Sequence, residues 1–278
     1  MTFQGGSVAS CSNSSSDPIY KSWGANLITT FITCRNHGKY LQKAISSILA
    51  QTIQPKELIL INDGSSDESL EIMKKYQNYS PTEVRVFNHP DPKGHIYSYN
   101  EAISMATGEY IHLMAADDFF FCPEGSVNND GRKFYARALN MFQDSKLGYV
   151  SCGLRHVGFD GMDLGQVILP IVQGIVSPLD LLGLMGQYGN FTNGGGTLVR
   201  ALAQERYEPE LPYTADFLQW INILRKGWKG GYIREPLYAY RRHLYQMTDR
   251  PTPPEERKII EEKLQSAISQ LRKREVWV

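Results

Sequence analysis

The chain lacks an excess of charge of either sign. Its 29 Lys and Arg match 29 Asp and Glu, so the formal net charge is zero. No global field draws it to nucleic acid or to an anionic membrane. Cysteine is scarce. Cys11, Cys34, Cys122 and Cys152 stand far apart, without paired metal spacing or the density of a disulfide scaffold. That usage favours a reducing compartment. Long hydrophobic runs are missing too. Nothing approaches the ~20 apolar residues that span a bilayer, and VILPIVQGIV (167–176) is broken by Pro170 and Gly174. Residues 1–25 are rich in Ser, Gly and Asn, with no basic stretch leading into an apolar one. They read as a disordered tail rather than a secretion signal. The N-glycosylation patterns at Asn13, Asn78 and Asn190 are therefore taken as chance matches. A cytoplasmic protein is expected, with peripheral contact at the inner face of a membrane left open.

What is present is an ordinary globular mixture, 42% hydrophobic and 21% charged over 278 residues. That length can bury a substantial core without staples. NLITTFITC (26–34) is β-rich. KYLQKAISSILAQ (39–51) repeats Leu41, Ala44, Ile45, Ile48 and Leu49 at helical spacing. Leu58 to Ile61 reads as a second, buried strand. Ser65 with Glu68 forms a capping box, which predicts a helix from about Ser66. EVRVFNH (83–89) alternates like a strand, YSYNEAISMA (97–106) reads as a helix, and EYIHLMAADD (109–118) as another strand. This alternation predicts an α/β fold with a largely parallel sheet and helices on both faces. Ligands in such sheets bind at the carboxyl ends of the strands, and Asp63 and Asp117-Asp118 fall on that rim.

The second half is less regular. A helix is expected over 131–143, a strand over 147–154, and a hairpin around Asp160-Gly161. YGNFTNGGGTLVR (188–200) reads as a loop entering a short strand, and DFLQWINILRKG (216–227) as a helix. After Pro251, Pro253 and Pro254, residues 255–274 carry Ile260, Leu264, Ile268 and Leu271 on one stripe. That helix either closes on its own domain or joins two copies of the chain. The expected organisation is a tail over 1–25, a main domain over 26–250 divided at 118/119, and a C-terminal amphipathic helix over 251–278.

Several side chains carry two readings. Asp63 sits in an Asn-Asp-Gly turn, or it accepts hydrogen bonds from a base or sugar. Asp117 and Asp118 form a solvated turn, or a divalent cation offsets their mutual repulsion; hard oxygen ligands suit magnesium or manganese. Asp216 caps a helix or performs base chemistry. Gly194–Gly196 meet a backbone requirement, or let the main chain approach a ligand. His243 is a packed histidine or a metal ligand. Arg200, Arg241 and Arg242 pair with surface acids or with a diphosphate.

The stretch LITTFITCRNHGKYLQKAISSILAQTIQPKELILINDGSSDES resembles the opening of the family-2 inverting glycosyltransferases, which have the GT-A fold. KGHIYSYNEAISMATGEYIHLMAADD resembles the approach to that family's acidic metal motif. NGGGTLVR is similar to its glycine loop, TADFLQWINILRKG to the segment with its catalytic acid, and YRRH to its C-terminal histidine. The resemblance runs over about 27–245. It implies a Rossmann-like nucleotide-binding half over 26–118 and an irregular acceptor-binding half over 119–250. It implies transfer of a sugar, with inversion, from a nucleotide-diphosphate donor to a hydroxyl of a carbohydrate, lipid-linked or protein acceptor. A uridine diphosphate sugar is favoured, with Mn2+ or Mg2+ as cofactor. Asp63 falls where the family contacts the base, and Thr33 and Arg35 at the first strand end beside the nucleotide. Asp117 falls with the ribose contact, Asp118 with the metal ligand, Gly195 in the glycine loop and Asp216 at the general base. His243 falls at the metal or diphosphate. Ala115 and Ala215 stand where many members have acids, and Asn62 where an Asp is common. A nucleotide-sugar-binding module without turnover is the alternative. A dinucleotide oxidoreductase is disfavoured, because TCRNHGKY contains no G-x-G-x-x-G.

Overall fold

The computed structural model describes residues 27–78, 82–122, 130–244, 246 and 250–275. The tail expected over 1–25 lies outside them. The first half alternates as its sequence predicts: β1 (Ile28–Cys34), α1 (Gly38–Leu49), β2 (Glu57–Asp63), α2 (Ser69–Lys75), β3 (Glu83–His89), α3 (His95–Met105) and β4 (Tyr110–Leu113). The strands pair in parallel in the order β3-β2-β1-β4. Successive side chains on a strand point to opposite faces. Ile28, Ile32, Leu58 and Leu60 therefore pack with Leu41, Ile45 and Ile48 of α1. Phe31, Ile59 and Ile61 pack with Ala102 of α3 on the other face. Burial on both faces explains why β1 and β2 read as apolar runs rather than alternations.

The second half extends the same sheet. It comprises β5 (Phe119–Phe120), α4 (Phe134–Met141), β6 (Leu147–Val157), β7 (Asp163–Ile168), β8 (Gly174–Val176), α5 (Pro178–Tyr188), β9 (Thr197–Arg200), α6 (Ala215–Arg225), β10 (Lys229–Arg241) and α7 (Pro254–Glu275). The path continues β4-β9-β6-β10-β5, with β7 on β6 and β8 on β10. β9 and β5 run against the common direction of the other strands on this path. The hairpin at Asp160-Gly161 is present, with β6 and β7 as its arms and Gly161 at φ +87°.

Two local expectations are corrected, and two elements were not foreseen. Helix α2 begins at Ser69 rather than near Ser66. The Ser65 hydroxyl is not a cap; it accepts from Asn36 N (3.0 Å) and so fastens the turn after β1. Asp67 receives the Ser69 N–H instead, and its other oxygen accepts from Gly38 N at the start of α1. Strand β4 stops at Leu113, so Asp117 and Asp118 lie in a turn beyond it rather than on the strand. Helix α5, unforeseen, is capped by the Ser177 hydroxyl, which accepts from Asp180 N, and has proline in its first turn. The long strand β10 was also unforeseen; it pairs with β6 across the middle of the second half.

Helix α7 closes on its own chain. Ile260, Leu264 and Leu271 are buried with Leu181, Leu182 and Met185 of α5 and Leu218 and Ile221 of α6, and Ile268 is partly buried there. Among the described residues no helix is long and apolar enough to cross a membrane.

Candidate active site

The carboxyl ends of β1, β2 and β4 open onto a cleft of about 300 Å3. Thr33, Arg35, Asp63, Asp117 and Asp118 all line it, as the sequence predicted, together with His37, His95 and Tyr99. A second cleft of about 600 Å3 adjoins it through Arg35 and His37, with His243 and Lys39 on its wall.

Asp63 ends β2 and is almost fully buried. Its Oδ1 accepts from Lys93 N (2.7 Å) and faces His89 Nδ1 (3.2 Å), while Oδ2 accepts from Gly94 N (2.9 Å). Burial opposes its ionisation, but these donors outweigh it and hold the carboxyl below its usual range. Oδ2 has one protein donor, so it retains a free lone pair on a residue that lines the cleft. The carboxylate therefore builds the loop before α3 and remains able to accept from a ligand.

The two adjacent acids face different ways. Asp118 is 4% exposed and turned inward. Its Oδ2 accepts from Tyr238 OH (2.9 Å) and its Oδ1 from Arg241 N (2.7 Å). Burial and the Asp117 charge push its pKa well above the usual carboxylate range. Asp118 was expected to be the metal ligand and Asp117 the ribose contact; of the two, Asp117 is the one that stands beside histidines. Asp117 Oδ2 lies 2.9 Å from His243 Nε2. One ligand atom each from His37, Asp117 and His243 lie within 4.8 Å of one another. Burial opposes ionisation of Asp117, yet the His243 hydrogen bond and the nearby His37 hold its pKa down. Burial also lowers the pKa of His37, which favours the neutral imidazole that ligates metals. Two imidazoles and one carboxylate thus converge where the sequence had offered two carboxylates and one histidine.

Arg241 supports this turn, and Arg200 a separate stretch of backbone, rather than offering charge to a ligand. Arg241 is 2% exposed. Its guanidinium donates to the carbonyls of Asp117, Gly158 and Phe159 and lies over the Tyr40 ring at 4.5 Å. Arg200 donates to the carbonyls of Leu147 and Phe142. Both are taken up by backbone acceptors, so neither fits the diphosphate role considered for them. Arg35 stands exposed at the cleft mouth.

Asp216 lies in the first turn of α6, whose N-cap is Thr214. The N-terminal N–H groups there are anchored from another element: Glu256 of α7 accepts from Tyr213 N, Thr214 N and Thr214 Oγ1. Asp216 Oδ2 accepts from Asn190 Nδ2 (3.0 Å) and Oδ1 from Phe217 N (2.7 Å). Burial raises its pKa, and those two donors offset part of the rise. The charge of this carboxylate reaches Tyr99, which lines the cleft. Its phenol pKa is raised by burial first, then by the charges of Asp117 and Asp216.

The glycine loop lies against Asp216. A Cβ built on Gly194 would meet Asp216 Oδ2 at 3.6 Å, and one on Gly195 would meet Tyr238 OH at 2.0 Å. Gly195 is therefore required by close packing, and it separates the Asp118 side from the Asp216 side. The pattern at Asn190, read as chance, belongs to the site's frame: Asn190 holds Asp216, and Thr192 Oγ1 is 2.8 Å from Tyr232 OH. Sequence reasoning missed His37 and Asn190. The one signal for His37 was its place directly after a strand end on the ligand rim.

Residues 29–121 match the family model described as Glycosyl transferase family 2. Glycosyltransferase GlyG of Streptococcus pneumoniae is 38% identical over 94 residues, 34% of this chain and 31% of that protein. The chain thus spans about a third of the length of such curated relatives. A putative glycosyltransferase, EpsE of Bacillus subtilis, is 27% identical over 211 residues, covering 74% of this chain and 69% of that one. Among solved structures, S. aureus TarS in complex with UDP-GlcNAc superposes with TM-score 0.66 at 15% identity, over 87% of this chain and 70% of that chain. The mannosyltransferase PcManGT from Pyrobaculum calidifontis, in complex with GDP-Man and Mn2+, gives 0.57 at 14% identity over 88% and 74%. The likeness to family-2 glycosyltransferases carried by the opening motifs is thus borne out over residues 29–121, and the chain has the GT-A fold.

Proposed function

We propose that this protein is an inverting glycosyltransferase that moves a sugar from a nucleotide-diphosphate donor to an acceptor hydroxyl. The observation that carries this reading is a metal-competent trio, His37, Asp117 and His243, at the cleft that Tyr99 lines, together with a carboxylate of raised pKa, Asp216, whose charge also reaches Tyr99.

Asp63 Oδ2 would accept an N–H from the base. Uracil and guanine both offer a ring N–H, and solved relatives of the fold hold UDP-GlcNAc and GDP-Man. A uridine donor is the first to test. Thr33, Arg35 and Tyr99 would line the nucleoside, and His37, Asp117 and His243 would hold a divalent cation. The donor set fits: the ligands are already gathered, and their mixed nitrogen and oxygen character suits manganese better than magnesium. Such a cation neutralises charge on a leaving diphosphate. Asp216 would take the proton of the acceptor hydroxyl as its oxygen attacks the anomeric carbon. The bond from that carbon to the diphosphate breaks, and the diphosphate leaves with the electron pair. Attack from the face opposite the leaving group inverts the centre. A carboxylate whose pKa lies above the usual range is a stronger base than a solvated one. Exposed Tyr188 and Tyr213 near this wall offer faces for an acceptor sugar.

A thermal-shift screen of nucleotide sugars with manganese, followed by product analysis of the best binder, tests the reading. Binding without transfer or hydrolysis would favour a nucleotide-sugar-binding module. Absence of binding for every donor would sink both.

A further inference from the structure

Strand β4 places Tyr110 and His112 on one face, and Met114 follows directly after the strand. Tyr110 and Met114 join the apolar core. His112 is fully buried in that row, stacked on Phe120 and set edge-on to Tyr135. The ring packs against these aromatic neighbours, and both of its nitrogens are engaged. Nε2 is 2.8 Å from Gly195 O, and Nδ1 is 2.8 Å from Tyr135 OH, which is 2.7 Å from Thr30 Oγ1.

The direction of each bond follows. A carbonyl only accepts, so Nε2 carries the proton. Burial disfavours the imidazolium. Nδ1 is therefore an acceptor, Tyr135 donates to it, and Thr30 donates to Tyr135. One glycine carbonyl sets the proton order of the whole chain. That glycine is confined on its other side, because Gly195 abuts Tyr238, whose hydroxyl donates to Asp118. Its neighbour Gly194 faces the Asp216 carboxylate.

We propose that His112 is a positioning residue. Its Nε2–H holds the Gly195 carbonyl and so fixes the glycine loop between the Asp117-Asp118 turn and Asp216. The inference rests on the glycosyltransferase reading, in which the spacing of those two walls sets the approach of acceptor to donor. A misplacement of about 1 Å can cost about 10²-fold in rate.

The test compares full-length His112→Leu, His112→Gln and Tyr135→Phe. Leucine cannot donate to Gly195. Glutamine can donate through its amide nitrogen and accept from Tyr135 through its oxygen. Steady-state kinetics with the donor found by screening is read beside UDP affinity with manganese, and beside hydrogen exchange of peptides covering 193–197. His112→Leu is expected to lower kcat about 10²-fold at unchanged donor KM and UDP affinity, with faster exchange over 193–197. His112→Gln is expected to recover most of both losses. Near-native kcat in His112→Leu would overturn the proposal. So would equal impairment of the glutamine variant, or loss of kcat without any change in exchange. If His112→Leu does not fold, Tyr135→Phe decides. It removes the second hydrogen bond that anchors the ring and leaves Nδ1 unpaired, so the ring is held less firmly against Gly195 O and kcat must still fall severalfold at constant KM, and an unchanged kcat overturns the proposal. If the unmutated protein transfers no sugar, the glycosyltransferase reading fails by itself. The exchange comparison between leucine and glutamine then decides whether His112 holds the loop.

Discussion

His243 Nε2 and Asp117 Oδ2 lie 2.9 Å apart, with His37 close enough to complete a ligand set. A hydrogen bond bridges the pair, and a divalent cation would take its place. Asp117→Ala is therefore expected to abolish most of the gain in uridine diphosphate affinity that manganese gives over chelator. Asp118→Ala leaves Tyr238 OH and Arg241 N buried without their acceptor, about 1–3 kcal/mol each. It should lower the melting temperature first. Calorimetry with and without metal, beside thermal melts, separates the two. Retention of the metal-dependent gain in Asp117→Ala would rule out that ligand. Manganese should also outperform magnesium, and the reverse order would speak against imidazole ligation.

Asp216→Asn preserves shape and removes the basic oxygen. Transfer should fall by about 10²–10⁴-fold while nucleotide affinity holds. The pH profile carries a sharper check. Asp216 must be ionised to act, and burial raises its pKa, so the acid limb of kcat should lie above the ordinary carboxylate range. Asn190 favours the ionised form through its amide N–H. Asn190→Ala should move that limb to still higher pH, and an unmoved limb would detach Asn190 from the base.

His112 also links pH to stability. Its pKa is lowered from 6.5 to about 4 by burial. Between those values the unfolded chain binds more protons than the native one, so stability is complete above about pH 6.5 and declines as pH falls toward 4. The full difference is about 3 kcal/mol, at 1.36 kcal/mol for each unit. Denaturant titrations across pH 4–7 should show this slope in the unmutated protein. They should show a shallower slope in His112→Gln, and parallel curves would count against a neutral native imidazole.

The C-terminal helix acts on the base wall through one side chain. Glu256 is 4% exposed and accepts all three hydrogen bonds that hold the entry to α6. Glu256→Ala should destabilise by about 1–3 kcal/mol and lower kcat more than it raises donor KM. Leu264→Ala removes apolar contact from the same helix and should cost about 2–5 kcal/mol in denaturant unfolding. If Glu256→Ala changes stability alone, α7 supports the fold without tuning Asp216.

The first half was legible because its signals are local. Leu58 to Ile61 followed by Asn-Asp-Gly marks a buried strand reaching a polar rim, and β2 ends at Asp63. The capping box misled because Ser65 had a competing partner, the Asn36 N–H, brought close only by the parallel pairing of β1 and β2. Helix α5 begins with Ser-Pro-Leu-Asp, a readable start. Strand β10 contains Gly230, Gly231 and Pro236, which weaken any strand pattern, and it holds together through its parallel neighbour β6.

What the sequence determined by itself was the inventory and its rim: alternating elements, carboxylates at strand ends, a glycine loop, and an acid at the start of a helix. Hydrophobic period and strand-end position are properties of neighbours along the chain. The division of labour was decided only in three dimensions. Asp117 and Asp118 are adjacent and chemically identical. Tyr238 and the Arg241 backbone, more than a hundred residues away, turn one inward, and His37 and His243 meet the other. Asn190 and Glu256 reach the Asp216 helix in the same way, and His112 reaches Gly195. A side chain's protonation and direction depend on which groups are packed against it, and those contacts exist only once the sheet has brought distant segments together.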